Sequence, residues 1–444
     1  MHKTDDIRAL VEKYAAELNR GEWEAGKDWI PYSGPIFDAD EYVAAIESLL
    51  SGWMIFGPKA REFELAFPDY LGKKYGSLAN SGSSANLLMV SALTSKRVFD
   101  VPPGSKIITP AVCFPTTVNP IIQCGFQPVF VDVTMPDLNL DLDDVERVLT
   151  EDSNGDIRAM MFAHVLGNPP DMDRLMSIVD RYDLILLEDS CDALGSSYKG
   201  KKLGSFGHIS TCSFFPAHHM TLGEGGFVAS DDSATNKLVT SLRDWGRACH
   251  CNSMTPGPVV AETACGNRFG NWLPGHRDIV YDHRYVFSEI GYNLKPLDLQ
   301  GAMGLEQLKK LPMLEEARRR NFARLERTFS PYRQHLDLPS AQQGADPSWF
   351  AYLISIKKDA PFSREQLLAH LENAKIQTRP YFAGNILAHP AYSDFAKQYG
   401  DLQDRFPEAA HATTHSFFLG TYAGLTEPKM AYIQEQVDRF FESL

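Results

Sequence analysis

The sequence predicts an α/β protein built on a mostly parallel sheet, and three observations carry that reading. Continuous apolar runs of strand length recur at residues 106–110, 128–133, 159–164 and 184–189. Helical patterns stand between or beside them, as over 143–149 and 171–182. The runs do not alternate with polar residues, which marks strands covered on both faces.

Taken in order, residues 1–30 read as one amphipathic helix and a linker, with Ile7, Leu10, Val11, Tyr14, Ala15 and Leu18 at helical spacing. A turn at 33–35 precedes a helix over 38–50. A Gly- and Pro-marked loop, 51–59, leads to a helix through Phe63 and Phe67. Asn80-Ser81-Gly82-Ser83-Ser84-Ala85-Asn86 opens a helical run to about 93. Small residues at a helix start leave free N–H groups aimed at one spot, so Gly82 and Ser83 can cradle an anion. The βα alternation then runs to Asp189. A further strand ends at Ser213, and a loop carrying His218 and His219 joins it through Gly223-Glu224-Gly225-Gly226 to a strand over 227–230. A helix is expected over 232–245, and the 246–287 stretch is long, irregular and aromatic, as functional loops often are. A helix follows from about 299 to 329, broken at Pro312. Strands over 349–356 and 376–380, a helix over 363–374 and a terminal helix from Pro428 make a small α+β part. The expected division is 1–30, a large domain over 31–315 and a small domain over 316–444.

Composition narrows the function. A formal net charge of -14 over 444 residues argues against a nucleic-acid partner. No run approaches the roughly eighteen apolar residues of a membrane span. The first residues lack a signal-peptide pattern, so a cytoplasmic protein is expected. Seven cysteines are too few and too uneven for a disulfide scaffold. Four of them, Cys191, Cys249, Cys251 and Cys265, read as buried thiols or as metal ligands, a zinc site among the options. Cys-x-Cys is not the usual Cys-x2-Cys zinc knuckle.

In parallel sheets ligands sit beyond the C-terminal strand ends. Phe114, His164, Asp189 and Ser213 all lie at such ends and are expected to converge. The segment around His218, with Gly82, Ser83 and Asp189, resembles the cofactor-lysine segment and pocket of the DegT/StrS sugar aminotransferases. Those are pyridoxal phosphate (PLP) enzymes of the aspartate-aminotransferase (type I PLP) fold. His218 stands where that family carries lysine, as in its branch of NDP-4-keto-6-deoxyhexose 3-dehydrases. The resemblance covers about residue 35 to the end.

The resemblance implies several roles. Gly82, Ser83 and Ser213 hold the cofactor phosphate, Asp189 meets the pyridine nitrogen and Phe114 stacks on the ring. Asn293 reaches a neighbouring subunit's phosphate across a homodimer. Arg379, and Lys59 in the loop at the substrate mouth, meet the anionic substrate. Imidazole cannot bond covalently to the cofactor as lysine would, but it can move a proton at neutral pH. The implied cofactor is therefore pyridoxamine phosphate (PMP, or PLP), with His218 as base and Asp192 assisting it. Cys191, Cys249, Cys251 and Cys265 resemble the branch's [2Fe-2S] ligand pattern. The reaction implied is C-3 deoxygenation of an NDP-4-keto-6-deoxyhexose in deoxysugar biosynthesis. Its electrons would come from an NAD(P)H-dependent iron–sulfur flavoprotein reductase or a ferredoxin/flavodoxin system. Two departures stand out: Phe215 replaces a tyrosine usual in the branch, and 13 residues separate Cys251 from Cys265, a longer gap than the branch's. The competing expectations are an NDP-ketosugar aminotransferase, which needs another lysine at the cofactor, and a non-catalytic iron–sulfur sensor.

Overall fold

The computed structural model describes residues 2–18, 23–249 and 267–444. Helices α1 (His2–Leu18), α2 (Ala39–Leu50) and α3 (Pro58–Ala66) open the chain. Asp38 starts α2 with a reciprocal cap: its carboxylate accepts the Asp40 N–H at 2.9 Å, and Glu41 accepts the Asp38 N–H at 3.0 Å.

Strand β1 (Tyr75–Ala79) feeds α4 (Gly82–Ala92). Then come β2 (Lys106–Pro110), α5 (Pro115–Gln123), β3 (Gln127–Val131), α6 (Leu142–Glu151), β4 (Ile157–Ala163), α7 (Met172–Arg181) and β5 (Ile185–Asp189). Strands β6 (Ile209–Ser213) and β7 (Gly226–Ser230) and helix α8 (Ser233–Arg243) follow. Asp141, Asp171 and Asp232 cap α6, α7 and α8 through their side chains. The seven strands form one sheet in the order β1-β7-β6-β5-β4-β2-β3. Only β7 runs against its neighbours. Ile107, Ile108, Met160, Met161, Leu186 and Leu187 are fully buried, so both faces are covered, as the unbroken apolar runs require.

Helix α9 (Asp298–Phe329) links this sheet to a second one. The elements are β8 (Leu336–Asp337), β9 (Ala351–Ile356), α10 (Arg364–Asn373), β10 (Arg379–Pro380), α11 (Pro407–His415), β11 (Ser416–Gly420) and α12 (Glu427–Glu442). The second sheet is antiparallel in the order β8-β9-β11-β10. The expected break at Pro312 does not occur. Pro312 lies on an exposed face of α9, while Leu311 and Leu314 beside it are buried, and that packing outweighs one lost backbone bond. Gly301 lets α9 close on α3: a Cβ there would lie 2.4 Å from Ala60 backbone atoms. Strands β1 and β11 escape the apolar-run criterion, and the expected strand over 376–380 is confined to Arg379–Pro380. Among the described residues no helix is long and apolar enough to cross a membrane.

Candidate active site

The C-terminal ends of β2, β4, β5 and β6 and the N-terminus of α4 border a cavity of about 780 Å³, closed on the far side by residues of the second sheet. Gly82, Ser83, Phe114, Asp189, Cys191, Asp192, Ser213, His218 and Arg379 all line it. Residues predicted from distant parts of the sequence thus meet where parallel-sheet topology places ligands.

One end is a cradle for an anion. Ser81 caps α4, accepting the Ser84 N–H at 3.1 Å, and no acidic residue occupies the first turn. Gly82 sits against Ser213: a Cβ at Gly82 would lie 2.4 Å from Ser213 Cβ and 2.6 Å from its Oγ. Gly226 likewise lets β7 pass the same turn, since its Cβ would meet the Ser81 carbonyl at 2.1 Å. The helix N–H groups and the Ser213 hydroxyl therefore lie together, with room kept by absent side chains.

Asp189 is 4% exposed. Its Oδ2 accepts Asn86 Nδ2 at 2.8 Å and Thr117 Oγ1 at 2.9 Å, and its Oδ1 accepts the Cys191 N–H at 3.2 Å. Asn86 is in turn oriented by Thr211, whose Oγ1 donates to its Oδ1 at 2.6 Å. Three donors thus hold this buried carboxylate in one orientation at the cavity wall. Sequence reasoning missed Asn86, Thr117 and Thr211. Asn86 was within reach, because it lies one helical turn after Gly82 and shares its face. Phe114 leaves 53% of its surface open on the cavity wall, with Phe382 edge-on at 6.2 Å.

His218 Nδ1 lies 2.8 Å from the Cys191 carbonyl. A carbonyl only accepts, so Nδ1 carries the hydrogen and Nε2 keeps its lone pair for the cavity. Burial pushes the imidazole down to about 4, partly opposed by that hydrogen bond, so it is a neutral base at ordinary pH. Asp192 Oδ1 stands 3.5 Å from Nδ1. Burial, reinforced by the Asp189 charge, holds the Asp192 carboxyl well above the usual range. Arg318, 3% exposed, anchors the loop. It donates to the His218 carbonyl at 2.9 Å and the Phe350 carbonyl at 3.0 Å, with longer contacts to Ala217 and Trp349. His219 is the structural member of the pair, buried with Nε2 on the Ser348 carbonyl.

The other expected residues divide between the cavity and places away from it. His164 does not converge with the rest: it is fully buried, with Nε2 2.9 Å from Glu188. Alternation along β4 and β5 turns that pair away from the cavity that Ala163, Val165 and Asp189 line. Lys59 is paired with Glu62 at 2.9 Å and lines a separate cavity of about 270 Å³ with Trp53 and Asp298. Asn293 accepts Lys295 Nζ at 2.6 Å, outside the main cavity. Arg379 lines the cavity with its guanidinium over Tyr32 at 4.5 Å. Cys191 lines it too, its thiol pushed well up by burial and by Asp189. Cys249 is partly buried. Cys251, Cys265 and part of the 246–287 loop lie outside the described residues, and among the described residues no group of three or more His, Cys, Asp or Glu is gathered for a metal.

The residues present fit a pyridoxal-type cofactor: a phosphate cradle, a satisfied buried carboxylate and an open aromatic face share one cavity. The comparisons agree. The chain is 40% identical over 441 residues to the lipopolysaccharide biosynthesis protein RfbH of Salmonella typhimurium, covering 98% of each. It is 41% identical over 442 residues to the dTDP-4-dehydro-2,6-dideoxy-D-glucose 3-dehydratase of Saccharopolyspora spinosa, covering 98% of this chain and 92% of that one. The solved structure of the Escherichia coli GDP-4-keto-6-deoxy-D-mannose-3-dehydratase with bound hydrated PLP superposes with a TM-score of 0.77 at 29% identity, over 92% of this chain and 99% of that one. The fold is that of the PLP-dependent aminotransferases, as expected. The model of the DegT/DnrJ/EryC1/StrS aminotransferase family matches residues 35–438, and the chain belongs to that family.

Proposed function

We propose that this chain dehydrates an NDP-4-keto-6-deoxyhexose at C-3, using PMP held without a covalent bond. The observation that carries this is the cavity wall: His218 presents Nε2 to it, and no lysine lines it among the described residues. Transamination by a family member needs that lysine. The relatives named as 3-dehydratases support the same reading.

When bound, PMP supplies an amine that condenses with the sugar ketone and a ring that spreads the negative charge formed beside it. Asp189 would hold the pyridine N–H, and Gly82, Ser83 and Ser213 the phosphate. Phe114 would lie against the ring. His218 Nε2 would accept a proton at the reacting end, its other nitrogen fixed by the Cys191 carbonyl. Asp192, whose carboxyl is held well above its usual range by burial and the Asp189 charge, would assist that base from 3.5 Å. Arg379 would meet the pyrophosphate. Deoxygenation also needs electrons, and the reading assigns them to a [2Fe-2S] cluster on Cys191, Cys249, Cys251 and Cys265 fed by an external reductase. Homodimerisation would bring Asn293 to a partner's phosphate.

The test is anaerobic purification, metal and sulfide assay, loading with PMP, and incubation with a ketosugar and a reducing system. Loss of water from the sugar, about two irons per chain and no net amino transfer are expected. An aminosugar product, or a borohydride-trapped lysine–PLP bond, would establish the aminotransferase instead.

A further inference from the structure

One group on the cavity wall has no part in that scheme. Tyr381 follows β10 directly and is 2% exposed. Pairing of Arg379 with Phe418 and Pro380 with Phe417 fixes the strand before it. The Gly384 N–H closes the turn on the Tyr381 carbonyl at 2.8 Å. Gly384 has φ +59, and a Cβ there would lie 2.7 Å from Thr413 Oγ1, so this turn needs glycine. The ring shares one apolar cluster with Cys113, Ala217 and Phe350; Ala217 precedes His218 in the chain, and the Phe350 ring lies 5.4 Å from the His218 imidazole.

The hydroxyl is the anomaly. Buried tyrosines usually find a partner for it. In this protein Tyr352 donates to Glu326 at 2.7 Å and Tyr392 to Asn119 at 2.6 Å. The Tyr381 hydroxyl makes no hydrogen bond among the described residues, and it is not among the polar atoms sealed in the core without one. Tyr381 lines the cavity, so its hydroxyl is left for a bound molecule to meet. Burial, with Asp192 and Cys113 nearby, holds the phenol well above its ordinary value, so it remains a donor. Phe215, the aromatic 6.5 Å from His218 on the loop itself, brings no hydroxyl.

We propose that Tyr381 donates a hydrogen bond to an oxygen of the bound ketosugar beside His218, supplying the hydroxyl that position 215 lacks. The assignment rests on the nucleotide-sugar reading above. A purely apolar wall would be served as well by phenylalanine, so Tyr381→Phe decides between them.

The experiment compares wild type, Tyr381→Phe and the double variant Tyr381→Phe/Phe215→Tyr, all loaded with PMP. Calorimetric affinity for PMP, affinity for an NDP-4-keto-6-deoxyhexose and kcat/KM are measured on each. Tyr381→Phe is expected to keep PMP affinity and melting temperature, and to lose about tenfold or more in sugar affinity or kcat/KM. The double variant is expected to regain part of that loss. Should phenylalanine pack poorly, as judged by melting, Tyr381→Met repeats the test with a flexible side chain of similar reach. Unchanged sugar affinity and kcat/KM in a folded variant would overturn the proposal, and so would a loss confined to PMP affinity. If wild type binds the ketosugar but does not dehydrate it, the dehydratase reading fails while the affinity comparison still judges Tyr381. If wild type binds no ketosugar at all, both fall.

Discussion

Below the end of β5, Glu188 takes hydrogen bonds from His164 and from the Gly204 and Gly207 backbone, with both side chains fully buried. One residue on and on the opposite face, Asp189 meets an open cavity shared with His218 and Asp192. Both regions hold histidine and carboxylate, yet they differ in what is left over. The lower pair is sealed, and its spare His164 Nδ1 has no partner and no access. The upper one keeps a spare nitrogen, His218 Nε2, facing space for a ligand. Function follows from which nitrogen is left open, and a single step along a strand decides it.

The comparison can be broken most severely from below. Glu188→Ala leaves His164 and two glycine N–H groups unpaired in the core. It is expected to lower stability by about 3–5 kcal/mol, read by chemical denaturation, with the cavity residues untouched in sequence. From above, His218→Asn should leave the melting temperature near that of wild type. It should cut turnover about 10³-fold, or ~4 kcal/mol in the barrier; retained turnover would show that another group is the base.

A pH series sharpens the contrast. Burial by itself raises the Glu188 carboxyl, but the His164 hydrogen bond and charge, with the Gly207 N–H, hold it below its usual value. A depressed carboxyl stabilises the fold above its unfolded value and ceases to do so as pH falls through its folded one. The stability gap between wild type and Glu188→Gln should therefore be full near neutrality and shrink as pH drops below about 4.3. A gap independent of pH would show that the Glu188 charge is not what stabilises the fold.

Smaller effects belong to the cradle and beyond it. Gly82→Ala should weaken PMP binding about tenfold, ~1.4 kcal/mol, because its Cβ collides with Ser213. Lys59→Ala removes only an exposed pair with Glu62, so stability should change by less than about 1 kcal/mol and PMP affinity not at all.

Much of this site was legible before any coordinates. Asp189 ends an unbroken apolar run, Gly82 and Ser83 begin a helix in small residues, and the His218 loop ends in Gly-Glu-Gly-Gly. Arg318 was not legible. Within Glu315-Glu316-Ala317-Arg318-Arg319-Arg320 it reads as one more solvated charge, yet it is the buried anchor of the His218 loop. Strand β1 was missed because Gly76 and Ser77 break its apolar run. Gly76 is there for closeness, since a Cβ would lie 2.0 Å from the Phe227 ring. The His164 placement failed for a simpler reason: proximity to a strand end says nothing about which face the side chain takes.

By itself, the sequence determined the central parallel strands of the sheet, the order of their elements and the residue types that meet at their C-terminal edge. Periodicity, turn residues and local helix starts are written in short stretches of chain. Only the tertiary structure decided which of two adjacent carboxylates faces the cavity and which arginine holds the loop. It also decided that Tyr381 lines the cavity without a hydrogen-bond partner for its hydroxyl among the described residues. Burial and hydrogen-bond satisfaction depend on residues far apart in the chain, and no local pattern records them.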